Sequence, residues 1–370
     1  MKIPVAYLTS GMRILRPVYG SKGELFLNKG SVLTAKQILQ LRKLGISAVH
    51  VYSGDIDDEH YREVLNDQIR LDTMRVFEEW CLNNSKKQNF SMIKDQIRSL
   101  IKELIEGDIP ILGLTEISST DIYTFAHSVD VCILALSTGV KLGYSKSKLL
   151  NLGIGALLHD LGKTKVPIEI LNKPGKLDKN EFMEIKKHPV LGYKMILDEV
   201  DGEIPVESMN VILDHHEKFD GTGYIRGLKG NEISDFTYIC AMSDVYSAIS
   251  SDRVYRKAFP PNEAFEMIMG GGASVFKYEL VGYFLDVIDP YPVGSLVRLN
   301  TGDIAIVQDR ALINKFRPNV KIYGSESIVD LSKELSLTIK ETVSPSELRE
   351  IIQKGDKKIS TILISNKVLM

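Results

Sequence analysis

The chain has 370 residues, of which 44% are hydrophobic and 25% charged, and its formal net charge at pH 7 is −2. This composition is ordinary for a soluble globular protein, and the length allows two or three domains with a buried core. The near-neutral charge gives no overall electrostatic attraction to nucleic acid or acidic lipid, so neither is expected as a partner.

Membrane and secretory signals are not expected either. Charged residues break the apolar runs well before the ~20 residues that a transmembrane helix needs. Residues 1–7 include a lysine but no sustained apolar stretch follows, which argues against a signal peptide. The cysteines, Cys81, Cys132 and Cys240, lie far apart, as is typical of buried thiols in a reducing compartment. We therefore expect a cytoplasmic location.

Residues 1–54 are predicted to form a small β-rich domain. The stretches 5–18 and 25–33 carry β-branched and aromatic residues, with turn residues between them. Thr34 can cap a helix that runs from Ala35 to Leu44. No group of residues in this domain suggests a reaction, so it could sense, dock or dimerise.

Residues 55–114 are predicted to form a helical connector. Apolar residues recur at near-helical spacing between Leu65 and Trp80. A polar break over 83–88 separates this helix from a second one, which is expected from about Ser91 to Glu106. The connector is also a candidate for homodimerisation.

Residues 115–289 are predicted to be almost wholly helical, which makes the fold class mainly α. The first of seven expected helices carries an apolar stripe from Ile122 to Leu136. Ser145 and Asp178 are expected to cap the second and third, and the third is expected to run on through His188 and Ile196. The other four are expected at Val206–His216, Phe236–Ser250, Asn262–Met269 and Ala273–Ile288.

Residues 290–370 are predicted to form a β-rich C-terminal extension. The two prolines in Pro290-Tyr291-Pro292 mark its start, because such close prolines break a helix. The alternating stretches 295–300 and 304–308 are typical of a β-hairpin. Further strands are expected at 320–323 and 336–339.

Five of the seven histidines fall, with two aspartates, into an ordered series inside the predicted helical domain. The series is His127, His159, Asp160, His188, His215, His216 and Asp244. Each histidine alone is more simply explained as a hydrogen-bonded core residue. Together they favour a metal site, because burying so many polar groups without an ion or a partner costs several kcal/mol for each group.

Seven nitrogen and oxygen ligands exceed the four of a tetrahedral zinc site and suit two metal ions. Asp160 is the expected bridge, because it follows a histidine directly and could reach both ions. Two metals about 3.5–4 Å apart clamp a phosphate and generate hydroxide at neutral pH, which indicates phosphoester hydrolysis. No nucleophile elbow, P-loop or dinucleotide fingerprint indicates another reaction.

Two motifs identify a family. The segments His159-Asp160-Leu161-Gly162-Lys163 and His215-His216-Glu217-Lys218-Phe219-Asp220-Gly221-Thr222-Gly223-Tyr224 resemble the HD-GYP subclass of the HD-domain metal-dependent phosphohydrolases. The resemblance covers about residues 115–290. Further matches, in order, are His127-Ser128-Val129, Gly227-Leu228-Lys229-Gly230, Asp244-Val245-Tyr246, Arg253 and Arg256.

The resemblance implies a helical bundle that hydrolyses cyclic di-GMP to pGpG, and on to GMP, by attack of a metal-bridging hydroxide. It implies two divalent metals, iron or manganese, held by the seven residues above. Asp160 and Lys163 would be catalytic, with Lys163 steadying the phosphate and the hydroxide. Arginine binds phosphate bidentately, which suits a substrate contact. The implied substrate-binding residues are Lys163, Gly221, Gly223, Tyr224, Arg253 and Arg256.

Three positions depart from the pattern of the family. The signature Gly-Tyr-Pro reads Gly223-Tyr224-Ile225 here, and the loss of proline is expected to leave the loop freer. Tyr123 stands where trinuclear members carry a glutamate, one turn before His127, so two metals are expected rather than three. Ser247 stands where members commonly have an aspartate, three residues after the last ligand.

Two alternatives stay open beside the phosphodiesterase. The chain could be a weak or inactive member that binds a cyclic dinucleotide or acts as a scaffold, with a protein partner at the Gly223-Tyr224-Ile225 loop. It could instead hydrolyse another cyclic dinucleotide, such as cyclic GMP-AMP, because the glycine-rich motif does not separate guanine from adenine. The intact set of seven ligands favours an active enzyme.

Overall fold

The structure is a computed structural model in which the chain divides into two compact units. One unit contains Met1–Glu63, Thr115–Ile122 and Asp289–Met370, and the other contains Val64–Leu114 and Tyr123–Ile288. The four-part division expected from the sequence stays a prediction. The residues that the structure describes are 2–20, 25–44, 46, 48–52, 67–82, 86–107, 123–173, 175–200, 204–251, 258–309, 314–322, 325, 327–343 and 347.

The N-terminal part of the first unit combines short strands with one capped helix. Its described elements are β1 Lys2–Pro4, β2 Val18–Tyr19, β3 Leu25–Leu27, α1 Ala35–Lys43 and β4 Ala48–His50. β1 pairs with β4 and β2 with β3, both antiparallel. Thr34 caps α1 as expected: its hydroxyl accepts from the Gln37 N–H, and the Gln37 side chain accepts from the Thr34 N–H.

The C-terminal part of the first unit is an antiparallel sheet with strand order β8-β7-β6-β5-β9. The hairpin expected after the prolines is present, with Leu296 of β5 opposite Ile306 of β6. The last strand begins three residues later than the start expected for it, and β8 was not predicted because its three residues are too few to show an alternating pattern. The strands are β5 Leu296–Leu299, β6 Ile304–Asp309, β7 Asn319–Ile322, β8 Ile328–Asp330 and β9 Ile339–Thr342.

The second unit is a helical bundle, which confirms the mainly α fold class. α4 packs against α5 and α10, and α5 packs against α9, so these helices form its centre. Short 3₁₀ turns at Leu161–Lys165 and Gly230–Glu232 follow α5 and α9. The helices are α2 Asp67–Leu82, α3 Lys86–Glu106, α4 Tyr123–Lys141, α5 Lys146–Leu158, α6 Ile168–Leu171, α7 Lys179–Ile185, α8 His188–Val200, α9 Val206–Asp214, α10 Asp235–Ser250, α11 Pro261–Gly270 and α12 Tyr278–Asp286.

Three helix boundaries differ by more than two residues from those expected. α3 begins at Lys86, inside the predicted polar break. Asp178 caps α7 as expected, but the helix does not continue through His188: it ends at Ile185 and α8 begins at His188. Pro189 explains the break, because proline has no N–H for an interior helical bond and is tolerated in the first turn. α12 begins at Tyr278 rather than Ala273, whose φ of 68° lies outside the helical region.

The helices predicted as a connector belong to the second unit. α2 and α3 pack on each other and on α4. A buried ion pair joins α2 to α4: Arg70 donates from Nε to Oδ1 of Asp130 at 2.6 Å and from a terminal nitrogen to Oδ2 at 2.8 Å. Because Asp130 lies one turn after His127, this pair fixes α4 close to its candidate ligand.

No described helix is both long and apolar enough to span a bilayer. Cys132 and Cys240 are buried as expected, and Cys81 is half-buried.

Candidate metal centre

The structure brings the seven histidines and aspartates of the sequence series together at the ends of five helices or on their faces. His127 lies on α4 and Asp244 on α10. His159 and Asp160 follow α5, and His188 begins α8. His215 and His216 follow α9 directly.

Asp160 lies at the middle of the group. Its Oδ1 lies 3.2 Å from Nε2 of His188 and 3.8 Å from Nε2 of His215. Its Oδ2 lies 3.4 Å from Nε2 of His159 and 3.8 Å from Nε2 of His127. The two oxygens of one buried carboxylate therefore face two different pairs of imidazoles.

The backbone fixes which ring nitrogen three of the histidines turn inward. Nδ1 of His159 lies 2.7 Å from the Ala156 carbonyl, and Nδ1 of His188 and His215 lies 2.7 and 3.1 Å from the carbonyl three residues earlier. A carbonyl only accepts hydrogen bonds, so Nδ1 carries the proton in each ring. Each neutral ring then presents the lone pair of Nε2 to the centre.

These inward-facing acceptors need a cation between them. Nε2 of His188 and Nε2 of His215 lie 3.2 Å apart, which sets two lone pairs against each other when both rings are neutral. Among the described residues, Nε2 of His159 and Oδ1 of Asp160 are buried without a hydrogen-bond partner. Orphaned buried acceptors are costly, and metal coordination satisfies them. The donor set therefore fits a metal.

The ligand atoms divide into groups that could each hold an ion. One group is His188, His215 and His216, and another is His127, His159 and Asp244. A third, in which Asp160 joins His159 and His215, lies between them. Within each group the ligand atoms lie within 4.8 Å of one another. Imidazole and carboxylate donors suit several divalent first-row metals.

Charges around Asp160 keep it ionised. Burial alone would raise the pKa of its carboxyl, but Lys163 and His159 outweigh burial and hold that pKa well below its usual range. Nζ of Lys163 donates to Oδ2 of Asp160 at 2.5 Å. Lys163 thus supplies positive charge beside the predicted bridging ligand.

The imidazoles differ in how readily they bind a proton. Burial and the nearby His188 and Lys163 outweigh Asp244 and lower the pKa of His216 to about 3, and burial also holds the pKa of His215 well below its usual value. Burial opposes the charged form of His159, but Asp160 and Asp244 favour it and its pKa is raised. In the absence of metal, His159 therefore binds a proton more readily than His215 or His216.

The glycine-rich segment lies beside the adjacent histidines His215 and His216. The Tyr224 ring stacks on the His216 ring, with centroids 4.7 Å apart and an interplanar angle of 25°. Nζ of Lys186 lies 4.6 Å from the centroid of the Tyr224 ring. Gly223 permits this approach, because a Cβ there would lie 2.4 Å from Cα of Glu217. Gly221 has a φ of 82°, which a glycine adopts readily.

The expectation that losing proline leaves this loop freer stays a prediction, and the structure shows other contacts that anchor the loop. Ile225 has a φ of 111°, which proline cannot adopt, so the backbone follows another path. Oε1 of the buried Glu217 accepts from the N–H groups of Arg226 and Gly227, at 2.6 and 3.0 Å. The Arg226 guanidinium donates to both carboxylate oxygens of Asp214, from Nε at 2.9 Å.

Several residues that contact the seven-residue group or the neighbouring loop were not predicted from the sequence as site residues. Ser247, considered only as a departure from the family, lies with Oγ 2.9 Å from Nδ1 of His127. Glu217 and Arg226 anchor the loop, and Lys186 lies over Tyr224. Glu217 directly follows the histidine pair, and that position was the signal that could have found it.

Some predicted residues lie outside what the structure describes. Arg253 and Arg256 are outside the described residues. The side chain of Tyr123 is likewise outside them, so the argument for two metals rather than three stays a prediction.

The segment that carries the seven residues is similar to known proteins. Residues 112–278 match the HD domain family model. A cyclic di-GMP phosphodiesterase of Pseudomonas aeruginosa is 36% identical over 247 residues, covering 65% of this chain and 59% of that protein. The cyclic di-GMP phosphodiesterase PdeB of Borreliella burgdorferi is 28% identical over 219 residues, covering 58% of this chain and 56% of that protein.

A third relative is named for a different dinucleotide. The 3'3'-cGAMP-specific phosphodiesterase 3 of Vibrio cholerae is 37% identical over 147 residues, covering 40% of this chain and 31% of that protein. The chain thus spans between about a third and three fifths of the length of these relatives. The matched segment therefore resembles HD domains, and the expected similarity of the chain to cyclic di-GMP phosphodiesterases is confirmed.

Proposed function

We propose that the chain is a metal-dependent phosphodiesterase that hydrolyses cyclic di-GMP. The observation that carries this proposal is the convergence of four imidazole Nε2 atoms on the two oxygens of Asp160. The names of the Pseudomonas and Borreliella relatives support the choice of substrate. The products are pGpG and, after a second hydrolysis, GMP.

Two divalent metal ions, iron or manganese, belong to the proposed centre. His188, His215 and His216 would hold one, and His127, His159 and Asp244 the other, with Asp160 shared between them. The chemistry that such a pair supplies when bound is polarisation of the phosphate and activation of water at neutral pH.

The side chains around the ligands bind and orient the substrate. Lys163 is partly exposed while its ammonium contacts Asp160, so it can meet a phosphate oxygen at the edge of the centre. Tyr224 provides an aromatic wall beside His216, and burial with the nearby carboxylates raises its pKa, so its hydroxyl stays a donor. Gly221 and Gly223 let the loop approach the substrate closely. Arg253 and Arg256 are further proposed phosphate or guanine contacts.

The test combines metal analysis and a product assay on the same sample. Protein purified without oxygen should contain two metal ions per chain and should convert cyclic di-GMP to pGpG. Asp160→Ala should lose both the metal and the activity. Asp198→Ala, which removes an exposed carboxylate on α8, should change neither. Metal-loaded wild-type protein that leaves the nucleotide intact would contradict the proposal.

A second substrate is favoured by one finding, the similarity to the cyclic GMP-AMP-specific relative of Vibrio cholerae. The same assay with 3'3'-cyclic GMP-AMP separates the two, since a specific enzyme turns over one dinucleotide much faster than the other. Tight binding of either nucleotide without turnover would instead indicate the inactive, scaffolding alternative, with a protein partner at the 223–225 loop. Homodimerisation and a cytoplasmic location stay predictions.

A further inference from the structure

The hydroxyl of Ser247 is buried against one of the proposed metal ligands. Ser247 lies on α10, one turn after Asp244, and is 1% exposed. Its Oγ lies 2.9 Å from Nδ1 of His127, which belongs to the facing helix α4. On the other side of the same ring, Nε2 of His127 lies 3.0 Å from Oδ1 of Asp244. α10 therefore contacts both nitrogens of this imidazole.

The side-chain contact to Nδ1 of His127 differs from the backbone contacts that hold the rings of three other histidines. Nδ1 of His159, His188 and His215 meets a carbonyl three residues earlier in its own segment. Such a contact forms whenever that turn forms. The contact between Ser247 and His127 joins two helices, so it also sets the distance between two side chains of one ligand group.

We propose that Ser247 is a positioning residue for the metal position formed by His127, His159 and Asp244. Its oxygen accepts the Nδ1 proton of His127, which turns the lone pair of Nε2 toward Asp244 and Asp160. The inference rests on the proposed two-metal function. It goes beyond that function because it gives Ser247 control over one of the two proposed metal positions. Ser247 itself is neither a metal ligand nor a substrate contact in this proposal.

The expected effect is selective. Removing an outer partner of a ligating histidine typically weakens metal binding by about 10–100-fold. Ser247→Ala should therefore weaken one of two metal-binding events by roughly that factor. The other event, at His188, His215 and His216, should keep its affinity, because their described contacts do not include Ser247.

The chain offers a matched control on the same helix. Ser243 lies one turn before Ser247, is 0% exposed, and donates its hydroxyl proton to the Ile239 carbonyl at 2.8 Å. Ser243→Ala removes the same group from the same helix, but from a hydroxyl bonded to main chain rather than to an imidazole.

The experiment is a titration of metal-free protein with manganese against a competing chelator, for the wild type and both alanine variants. Thermal unfolding of the metal-free forms checks that each variant folds. We expect two ions for every protein at saturation, with one affinity reduced in Ser247→Ala alone. Unchanged affinities in Ser247→Ala, or an equal loss in Ser243→Ala, would overturn the positioning role.

The two proposals fail in different ways. Wild-type protein that binds fewer than two manganese ions would contradict the two-metal centre, and with it this inference. Wild-type protein that binds two ions while Ser247→Ala behaves identically would remove the inference alone and leave the proposed phosphodiesterase standing.

Discussion

Gly162, in the segment that follows Asp160, should not tolerate even one added methyl group. A Cβ at this position would lie 1.9 Å from the carbonyl oxygen of His188 and 2.5 Å from the amide nitrogen of Gly192. Cβ atoms do not approach backbone atoms closer than about 3.0 Å, so the two segments would have to separate by roughly 1.1 Å. In Gly162→Ala, the turn carrying Asp160 therefore moves away from the start of α8.

Two quantities should change together. Overpacking a close contact of this kind typically costs about 1–3 kcal/mol of unfolding free energy. Because the displaced atoms carry His188 and Asp160, a shift near 1 Å should also reduce turnover on the order of 10²-fold. Urea denaturation measures the first, and the rate of cyclic di-GMP loss at saturating metal measures the second.

Gly282→Ala provides the control for the same chemical change. Gly282 lies in α12, and a Cβ there would meet no atom within 4 Å. Alanine in a helix interior is favoured over glycine by roughly 0.5–1 kcal/mol, so this variant should be at least as stable as the wild type and equally active. Full stability and full activity in Gly162→Ala would refute the reasoning, because the two segments would then be able to separate without cost.

Three further outcomes are expected. Arg70→Met should cost about 3–5 kcal/mol in urea denaturation because it leaves buried Asp130 without its partner, and Arg70→Met/Asp130→Leu should recover most of that loss. Manganese affinity should rise with pH and level off above the raised pKa of His159, because this imidazole must lose its proton to bind the metal. Calorimetry in buffers of different ionisation enthalpy should detect the released proton. A pH-independent affinity would contradict the argument. Ile225→Pro should raise the KM for the dinucleotide and Ile225→Gly should not, because only glycine adopts the φ of 111° readily.

Local patterns in the sequence were sufficient to predict the helical fold and the members of the histidine and aspartate series. Helix caps are short-range signals, which is why Ser145 and Asp178 were placed correctly. The error at His188 had a local cause as well, since Pro189 was present to indicate the break.

Contacts between distant residues could not be predicted in this way. Ser247 and His127 are 120 residues apart, and Arg70 and Asp130 are 60 apart. Periodicity places each residue on a helix face, but the partner depends on how two helices rotate and cross. The close approach of Gly162 to His188 has the same origin: it is a property of two packed segments rather than of either one.

The loop around Ile225 shows why a motif change is hard to interpret without the fold. Asp214 and Glu217 flank the histidine pair at 215 and 216, and both bind Arg226. Their contacts tie the loop to the segment that carries two proposed ligands, so a movement of Arg226 would also reach Tyr224 and His216. A proline at 225 would stiffen a different backbone path. Here the loop is anchored by the ion pair between Arg226 and Asp214 and by backbone N–H groups that donate to Glu217. The loop and the proposed ligands His215 and His216 should therefore move together. Substitutions in the loop should be tested for their effect on metal binding as well as on substrate choice.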